Sequence, residues 1–469
     1  MTTDKEKNMG AALDNFILRI RKKRIAVLGI GISNTPLIKM LSKYGGIVTA
    51  CDKRSREELG DTAKELENIG VKLQLGEGYL DNLDHDIIFR TPGLRYDIPA
   101  LREARQKGSE IISEMELFFD LCPAKIIGIT GSDGKTTTTT LVYEMLKKQG
   151  LACYLGGNIG KPLLPEIDSF KESDYAVVEL SSFQLQTMKK SPHIAIVTNV
   201  TPNHLDIHLS MDEYIEAKKN IFLYQNTDDK LILNLENDIT KDFINEAKGK
   251  VLGFAFNSKT NKGMYYDENK DLVYADGKIE TIVMNKSDIK LPGNHNVENY
   301  MAASLAVWGL VDIENIKAVA RDFGGVPHRI ELIRELNGVK YYNSSIDSSP
   351  TRTIAALNSF DKKVILIAGG YDKHIPFEPL APAVIDKVKR LILTGATAQK
   401  IKETVETNRE YRGKPEIFLV EKFDDAVMFA ANSAKEGDVV ILSPACASFD
   451  SFKNFEERGD RFKSLIKKL

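Results

Sequence analysis

Short apolar runs that alternate with amphipathic segments are the feature that most limits what this chain can form. Runs such as "RIAVLGI", "KIIGIT", "YAVVEL", "KVILIAGG" and "DVVILS" are typical of buried parallel strands, and helical segments lie between many of them. The pattern predicts an α/β fold whose parallel sheets are covered on both faces. Residues 251–292 differ, because aromatic and β-branched runs alternate there with polar turns, which predicts added β-hairpins.

The length of the chain, 469 residues, exceeds what one hydrophobic core supports and favours about three domains. The strand and helix pattern breaks before the strand near residue 126 and again at the paired glycines and proline near residue 325. We therefore expect a Rossmann-like domain at 1–113, a central P-loop ATPase domain at 114–325 and a Rossmann-like C-terminal domain at 326–469.

The charge balance gives no sign of a nucleic-acid or membrane partner, since 64 basic and 66 acidic residues leave a net charge of −2. The four cysteines are scattered without metal-ligand spacing, which is typical of free thiols in a reducing compartment. The start of the chain lacks the apolar core of a signal peptide, and no apolar run approaches the roughly 20 residues that span a bilayer. We expect a cytoplasmic monomer.

The stretch "GITGSDGKTTTTT" joins a predicted strand to a predicted helix. Glycines let a backbone approach phosphate oxygens closely, and the start of a helix adds N–H groups and partial positive charge. Lys135 would supply a positive charge and Thr136 an oxygen for Mg²⁺. The stretch predicts a nucleotide site, although Ile129 stands where the usual P-loop has its first glycine. A plain glycine-rich turn between strand and helix is the alternative.

Three further residues stand out because they follow predicted strands or lie on a predicted helix beyond this loop. Glu179 ends the apolar run of "DYAVVELSSFQLQ", His204 comes just after the next strand, and Lys218 lies on the helix "MDEYIEAKKNIF". Carboxylate oxygens suit a hard cation. Taken singly, each residue has an ordinary alternative: an acid in solvent, a structural histidine and an exposed lysine.

The N-terminal segment "RIAVLGIGISNTPLIKMLSKYGGIVTACDKR" has the order strand, glycine turn, helix and strand. Its turn reads G-x-G-x-x-N, with Asp52 about 20 residues further on, as in dinucleotide-binding folds. Asn34 stands at the third small position, so the turn predicts a diphosphate site without favouring NAD. An NAD-dependent regulator remains an alternative.

The loop spacing G-x-x-G-x-x-G-K-T resembles the P-loop of the Mur ligase superfamily, whose members use ATP to add amino acids to carboxylates. "ELSSFQL" and "LSPACASFDSFKNFEERGDRF" resemble the branch of that superfamily that adds D-glutamate, and the resemblance covers nearly the whole chain. It implies that D-glutamate is joined to UDP-N-acetylmuramoyl-L-alanine through an acyl phosphate, in the synthesis of peptidoglycan precursors. It also implies ATP, two Mg²⁺ ions and a carbamylated Lys218.

The same resemblance assigns roles to residues. It implies catalytic roles for Lys135, His204, Lys218 and Arg329. It implies Mg²⁺ ligation by Thr136, Glu179, His204 and Lys218. It implies ATP contacts at Gly128, Gly131, Ser132, Asp133, Gly134, Lys135, Thr136, Thr137, Asn296, Asn299, Arg329 and Ser344. It implies contacts with the UDP substrate at Ile32, Ser33, Lys53, Arg54, Thr91, Pro92, Gly93 and Asn158. It implies D-glutamate contacts at Ser348, Lys373, Ser448 and Phe455.

One segment departs from the family pattern N-D-S-K-A-T-N, because this chain reads "NSSIDSSPTR" from Asn343. Ser344 replaces the aspartate expected at the ATP ribose, and Ile346 replaces a lysine expected near the reacting groups. Ser348 keeps a hydroxyl, and Arg352 could restore the missing positive charge. Other amide ligases of the superfamily, such as the L-alanine-adding enzyme or folylpolyglutamate synthetase, and a P-loop kinase or ATPase remain alternatives.

Overall fold

The computed structural model describes residues 4–31, 33–203, 207–373 and 375–469, with side chains from residue 12 onward. The described residues form an α/β protein with three sheets, which confirms the predicted fold class. By its contacts the chain divides into two compact units, residues 1–286 with 298–319 and residues 287–297 with 320–469. The N-terminal and central sheets lie in the same unit. The division into three domains at residues 113 and 325 stays a prediction. No helix in the described ranges combines the length and the apolar character needed to cross a membrane.

The N-terminal sheet has five parallel strands in the order β3-β2-β1-β4-β5. The strands are β1 Arg24–Leu28, β2 Ile47–Asp52, β3 Lys72–Leu75, β4 Ile87–Phe89 and β5 Glu110–Ile112. The helices of this region are α1 Asp4–Ile20, α2 Asn34–Lys43, α3 Arg56–Leu59, α4 Asp61–Asn68, α5 Pro99–Gln106 and α6 Glu114–Leu121. Because the order reverses at β1, the carboxyl ends of β1 and β4 flank the crevice where such folds bind ligands.

The central sheet has nine strands in the order β14-β13-β12-β11-β10-β9-β6-β8-β7. The strands are β6 Lys125–Thr130, β7 Cys153–Gly157, β8 Tyr175–Glu179, β9 Ile194–Val197, β10 Lys230–Asn234, β11 Lys250–Ala255, β12 Gly263–Tyr266, β13 Asp271–Ala275 and β14 Glu280–Asn285. Strands β12, β13 and β14 pair antiparallel, which confirms the hairpins predicted within 251–292. Strand β6 pairs parallel with both β8 and β9, so the carboxyl ends of these strands meet at one edge.

The helices of this central region include α7, which follows the phosphate loop, and α9, which carries Lys218. They are α7 Lys135–Lys148, α8 Ser182–Leu185, α9 Met211–Lys219, α10 Asp238–Asp242, α11 Asn294–Ala306 and α12 Ile313–Asp322. Short 3₁₀ turns lie at Leu164–Ser169, Phe243–Glu246 and Lys286–Asp288. Apolar side chains of the N-terminal and central sheets form one continuous core, in which Phe118 and Phe170 meet edge to face at 5.9 Å.

The third sheet has six strands in the order β15-β16-β20-β17-β18-β19, and only the pairing of β15 with β16 is antiparallel. The strands are β15 Glu331–Leu336, β16 Val339–Asn343, β17 Val364–Ala368, β18 Val388–Leu393, β19 Glu416–Leu419 and β20 Val439–Leu442. The helices are α13 Pro350–Asn358, α14 Leu380–Lys387, α15 Ala398–Glu406, α16 Phe423–Ser433 and α17 Phe455–Lys468. Two apolar clusters hold this region together.

Candidate active site

The predicted phosphate loop forms the turn between β6 and α7, as the sequence led us to expect. Gly131 has a φ of +148° and Gly134 a φ of +78°, a backbone region that favours glycine. A Cβ atom at Gly131 would overlap Thr198, and one at Gly134 would overlap Asn299. The amide of Asp133 donates to Asn199 Oδ1 at 2.9 Å, so the loop is tied to the segment that follows β9. These contacts fix the backbone of the loop at the start of α7.

Lys135 is the first residue of α7, and its side chain folds over the loop. Its Nζ atom donates to the carbonyl oxygens of Gly131 at 2.9 Å and Ser132 at 2.8 Å. The threonine run behind it is largely structural: the Oγ1 atoms of Thr139 and Thr140 donate to the carbonyl oxygens four residues earlier. Lys135 therefore lies where a phosphate group held by the loop would meet it.

Gly128, a predicted ATP contact, lies inside β6 and pairs with both neighbouring strands. A Cβ atom there would lie 2.7 Å from Pro192 Cγ and 3.2 Å from Leu180 Cδ1. The glycine that sits out of register with the usual P-loop thus serves close packing of the sheet. The turn itself is made by Gly131 and Gly134.

Glu179 ends β8, and only 2% of its surface is exposed. Its Oε1 atom accepts a hydrogen bond from Asn158 Nδ2 at 2.9 Å. Its Oε2 atom is buried and has no hydrogen-bond partner among the described residues. A buried carboxylate oxygen without a partner is costly unless a cation or a water binds it. The residue therefore fits the Mg²⁺ ligand that the sequence predicts.

Lys218 is 1% exposed, and its Nζ atom donates to the carbonyl oxygen of Gly131 at 2.7 Å. The same atom lies 4.6 Å from the centroid of the Tyr214 ring. Burial lowers the pKa of Lys218 well below its usual range, and the charge of Lys135 lowers that pKa further. Its neighbour Lys219 pairs instead with Glu216 at 2.8 Å and Glu246 at 2.7 Å.

Two predicted residues, Ile32 and His204, lie outside the described residues. Within the described ranges, no group of three or more His, Cys, Asp or Glu side chains forms a cage for a metal ion. Mg²⁺ commonly keeps several waters and takes one or two protein carboxylates, so Glu179 and Thr136 remain a compatible partial set. Thr136 is buried in the first turn of α7.

The N-terminal glycine turn is built around Asn34 and Asp52. Asn34 Nδ2 donates to the carbonyl oxygens of Leu28 at 3.1 Å and Gly29 at 2.9 Å, which explains an amide where dinucleotide folds carry a small residue. Asp52 Oδ2 accepts from the Ile30 amide at 2.7 Å. The Asp52 carboxylate is thus used within the turn, an arrangement that disfavours the alternative of an NAD ribose contact.

Arg54 pairs with the Asp52 carboxylate, and its Nη2 atom lies 2.8 Å from Oδ2. Burial of Asp52 favours its neutral form, but hydrogen bonds from Arg54 and from the Ile30 amide outweigh that effect and lower the Asp52 pKa to about 2. Ser33 precedes α2 without capping it by its side chain. The exposed side chains of Ser33 and Lys53 thus lie near the start of α2 and the end of β2.

Two arginines, not predicted from the sequence, organise the predicted substrate loop at 91–93. Arg90 is 2% exposed, and its Nη1 atom donates to the carbonyl oxygen of Leu94 at 2.6 Å. Arg95 Nη2 pairs with Glu213 Oε1 at 2.9 Å, in the first turn of α9. The only available signal was the pair of arginines flanking T-P-G in "FRTPGLRYD". Arg95 ties the N-terminal loop to the helix that carries Lys218.

Three of the four predicted D-glutamate residues, Ser348, Lys373 and Ser448, lie in the loops that follow β16, β17 and β20 of the third sheet. Lys373 Nζ donates to Ser348 Oγ at 3.3 Å, so the structure brings these two residues together. Ser448 is buried, and Phe455 begins α17. Arg458, which was not predicted, is 2% exposed. Its guanidinium donates to the carbonyl oxygens of Ser345, Cys446 and Ala447, so it ties the loop after β16 to the loop after β20.

The structure also places three of the predicted ATP contacts, Asn296, Asn299 and Arg329. Asn296 Nδ2 donates to the Pro292 carbonyl oxygen at 2.6 Å. Asn299 Oδ1 accepts from Thr138 Oγ1 at 3.2 Å, beside the glycine turn of the phosphate loop. Arg329 sits in a turn whose two flanking residues have positive φ values.

Comparison with known proteins decides the family. The model of the Mur ligase middle domain matches residues 129–307, and the model of the Mur ligase glutamate ligase domain matches residues 328–446. A protein of Acetivibrio thermocellus named UDP-N-acetylmuramoylalanine–D-glutamate ligase is 55% identical over 98% of this chain and 100% of its own length. The chain belongs to the Mur ligase family.

A ligase of the same name from Clostridium novyi is 54% identical to this Mur ligase, over 96% of this chain and 98% of its own. Among solved structures, the UDP-N-acetylmuramate–alanine ligase of Thermotoga maritima covers 95% of this Mur ligase and 99% of its own chain. It has a TM-score of 0.58 at 19% identity, so it supports the fold alone.

Proposed function

We propose that this Mur ligase uses ATP to join D-glutamate to the carboxylate of UDP-N-acetylmuramoyl-L-alanine, a step in peptidoglycan precursor synthesis. The observation that carries the proposal is 51–55% identity, over nearly the full chain, to proteins named for that reaction. The phosphate loop, Glu179 and Lys218 at one edge of the central sheet provide the setting for phosphoryl transfer.

The reaction that fits this setting has two steps. A carboxylate oxygen of UDP-N-acetylmuramoyl-L-alanine attacks the γ-phosphorus of ATP. The bond between that phosphorus and the oxygen that bridges to the β-phosphate breaks, which gives ADP and an acyl phosphate. The amine of D-glutamate then attacks the acyl carbon, loses a proton, and releases inorganic phosphate. Negative charge moves across the phosphoryl oxygens in the first step, so Lys135 and Arg329 act by electrostatic stabilisation.

Magnesium would be held by Thr136 and Glu179 beside the phosphate loop, with His204 and Lys218 as the further predicted ligands. Two Mg²⁺ ions held by these residues would neutralise phosphate charge. The buried, unpartnered Oε2 atom of Glu179 supports this assignment. Asn158, which donates to the other carboxylate oxygen, would orient the ligand.

Lys218 is proposed to carry a carbamate. Burial and the charge of Lys135 lower the pKa of Lys218, and a neutral amine is the form that attacks CO₂. A bond forms between Nζ and the carbon of CO₂, and the amine loses a proton. The side chain then ends in a carboxylate-like anion, the kind of oxygen ligand that Mg²⁺ takes, and its nitrogen keeps one hydrogen to donate to the carbonyl oxygen of Gly131.

Substrate recognition is proposed to be divided between the two compact units. In the first unit, the N-terminal turn and the loop at 91–93 would take the UDP end, together with Ile32, Ser33, Lys53, Arg54 and Asn158. In the second unit, Lys373, Ser348, Ser448 and Phe455 would take D-glutamate. A dianionic amino acid needs a cation and converging donors, and the contact between Lys373 and Ser348 provides one such pair.

We also infer that this ligase works as a monomer in the cytoplasm, in keeping with its free cysteines Cys51, Cys122, Cys153 and Cys446. Size-exclusion chromatography with light scattering would test the monomer.

Phosphate release from ATP tests the proposed function. The purified protein is incubated with Mg-ATP and with each candidate substrate alone and in pairs. We expect release only with UDP-N-acetylmuramoyl-L-alanine plus D-glutamate. Release with UDP-N-acetylmuramate plus L-alanine, or with folate plus glutamate, would identify another ligase of the superfamily. Release that needs no substrate would indicate an ATPase, and ADP formed without release of inorganic phosphate would indicate a kinase.

A further inference from the structure

A buried histidine that no role above uses, His208, lies between the two segments that carry Glu179 and Lys218. It comes two residues before Ser210, the residue that caps the start of α9, and only 2% of its surface is exposed. Because a buried imidazole nitrogen needs a hydrogen-bond partner, the neighbours of His208 show which parts of the protein it holds in place.

On one side, His208 contacts α8, the helix that begins three residues after Glu179. Its Nε2 atom lies 2.9 Å from the Oγ atom of Ser182, the first residue of α8. Its ring stacks on that of Phe183, with centroids 5.0 Å apart and planes 6° apart. Ser182 is 3% exposed, and within the described part of the chain its hydroxyl has no other hydrogen-bond partner. This bond therefore ties the turn that follows Glu179 to His208.

On the other side, the His208 ring meets the ring of Tyr214 edge to face, with centroids 5.3 Å apart. Tyr214 lies on α9, and its hydroxyl is 2.9 Å from Ser132 Oγ in the phosphate loop. The Nζ atom of Lys218 lies 4.6 Å from the centroid of the same tyrosine ring. His208 thus packs against a side chain that contacts both the phosphate loop and Lys218.

A second link between α8 and α9 limits what His208 contributes to folding. The Nε2 atom of Gln186, at the end of α8, donates to Glu213 Oε1 at 2.9 Å, and Arg95 pairs with the same oxygen at 2.9 Å. Glu213 Oε2 lies 3.7 Å from His208 Nδ1. Gln186 and Glu213 should keep α8 beside α9 when His208 is replaced. We therefore expect a change at His208 to shift the start of α8 without unfolding the protein.

We propose that His208 is a positioning residue, which fixes the turn after Glu179 relative to Lys218 and the phosphate loop so that the proposed magnesium ligands converge. It acts through Ser182 and Tyr214. The inference rests on the proposed function, because the roles of Glu179 and Lys218 belong to it. Groups that orient metal ligands commonly change metal affinity or activity by roughly 10- to 100-fold when they are removed.

Three single variants separate the hydrogen bond from the ring. His208→Phe keeps an aromatic ring beside Phe183 but cannot bond to Ser182, and Ser182→Ala removes the same bond from the other side. We expect each to lower kcat by about 10- to 100-fold, with KM for D-glutamate within about twofold. The KM should hold because the proposed D-glutamate residues lie in the other compact unit. His208→Gln, whose amide can reach Ser182, should regain most of the lost kcat.

Thermal unfolding of a double variant distinguishes positioning from a merely structural role. His208→Phe leaves the Ser182 hydroxyl buried without its partner and should lower the melting temperature. Adding Ser182→Ala removes that hydroxyl and should restore most of the melting temperature. The kcat of the double variant should stay low, because the bond is still missing. Recovery of kcat together with the melting temperature would mean that His208 is only structural, and would overturn the inference.

Binding of Mn²⁺, a paramagnetic substitute for Mg²⁺, gives a readout that needs no turnover. With a non-hydrolysable ATP analogue present, electron paramagnetic resonance should show a Kd for Mn²⁺ at least about tenfold higher in His208→Phe than in the wild type. His193→Phe, the same exchange at the amino end of β9, is the matched control and should leave Kd and kcat unchanged.

An unchanged Kd for Mn²⁺ in His208→Phe, or a near-normal kcat in both His208→Phe and Ser182→Ala, would overturn the inference. A wild-type protein without D-glutamate-dependent phosphate release would instead overturn the proposed function.

Discussion

The Nζ atom of Lys218 lies 2.7 Å from the carbonyl oxygen of Gly131, so a buried lysine of α9 touches the backbone of the phosphate loop. Replacing Lys218 by alanine should leave almost no ligase activity, because the proposed carbamate anion could not form. Short carboxylates added to that variant should restore part of the activity, by supplying an anion in the same space.

Lys219→Ala is the matched control, because Lys219 pairs with Glu216 and Glu246 and should stay an ordinary ammonium. A crystal grown with nucleotide and Mg²⁺ should show three extra heavy atoms on Lys218 Nζ. A bare Lys218 in well-resolved density, or a fully active Lys218→Ala, would refute the carbamate.

Removing the charge of Lys135 is expected to abolish most turnover, since in the proposed mechanism that charge stabilises the transferring phosphoryl group. We expect Lys135→Ala to lower kcat by roughly 100- to 1,000-fold while the fold is retained, as judged by circular dichroism. Lys147→Ala, in the last turn of the same helix, is the control. Near-normal turnover in Lys135→Ala would remove this loop from the active site.

Glu179→Gln should raise the Mg²⁺ concentration needed for half-maximal activity, because a neutral amide replaces the carboxylate oxygen that has no hydrogen-bond partner among the described residues. A magnesium titration at saturating ATP measures the shift, which we expect to be at least about tenfold. Glu172→Gln, an exposed acid just before β8, is the control. An unchanged titration curve would mean that Glu179 binds no magnesium.

Lys373→Ala should raise KM for D-glutamate far more than KM for ATP, because the lysine and Ser348 form the proposed carboxylate pair. Steady-state kinetics with each substrate varied in turn measures both constants, and Lys387→Ala serves as the control. Equal changes in the two constants would argue against an amino-acid site. Arg352→Ala asks in the same assay whether that arginine replaces the lysine missing at position 346, and a wild-type KM would dismiss the idea.

Asp52 should contribute acid-sensitive stability. Its pKa in the folded protein is about 2, below the ordinary 3.8, so its stabilising effect is complete above about pH 4 and is lost as the pH falls toward 2. Asp52→Asn should lower the free energy of unfolding on the order of 1 kcal/mol at pH 7, with a smaller difference at pH 3. Denaturant titrations at both pH values measure it. A difference that grows at pH 3 would contradict the assignment.

The sheets were predictable because a strand that is buried on both faces appears in the sequence as a continuous apolar run. Such runs form the strands β6, β8, β17 and β20. The turn glycines were predictable because Gly131 and Gly134 need a backbone conformation that side chains disfavour. Gly128 shows the limit of such reasoning, since its small size serves packing against Pro192 inside the strand.

The supporting charges could not be predicted. Arg90 and Arg458 are each 2% exposed, but the sequence does not distinguish a buried arginine from one in solvent. Their partners are mostly backbone carbonyl groups, which leave no pattern in a sequence. The position of His208 likewise depends on Ser182, 26 residues away along the chain.

The product of the reaction tests the central claim most directly. The protein, Mg-ATP and UDP-N-acetylmuramoyl-L-alanine are incubated with an equimolar mixture of D-glutamate, L-glutamate, L-alanine and glycine, the two glutamates carrying different isotope labels. Mass spectrometry then identifies which amino acid is joined to the nucleotide. We predict one product, containing D-glutamate, formed in equal amount to ADP and phosphate. A product containing another amino acid, or ADP formed without any amide product, would contradict the account.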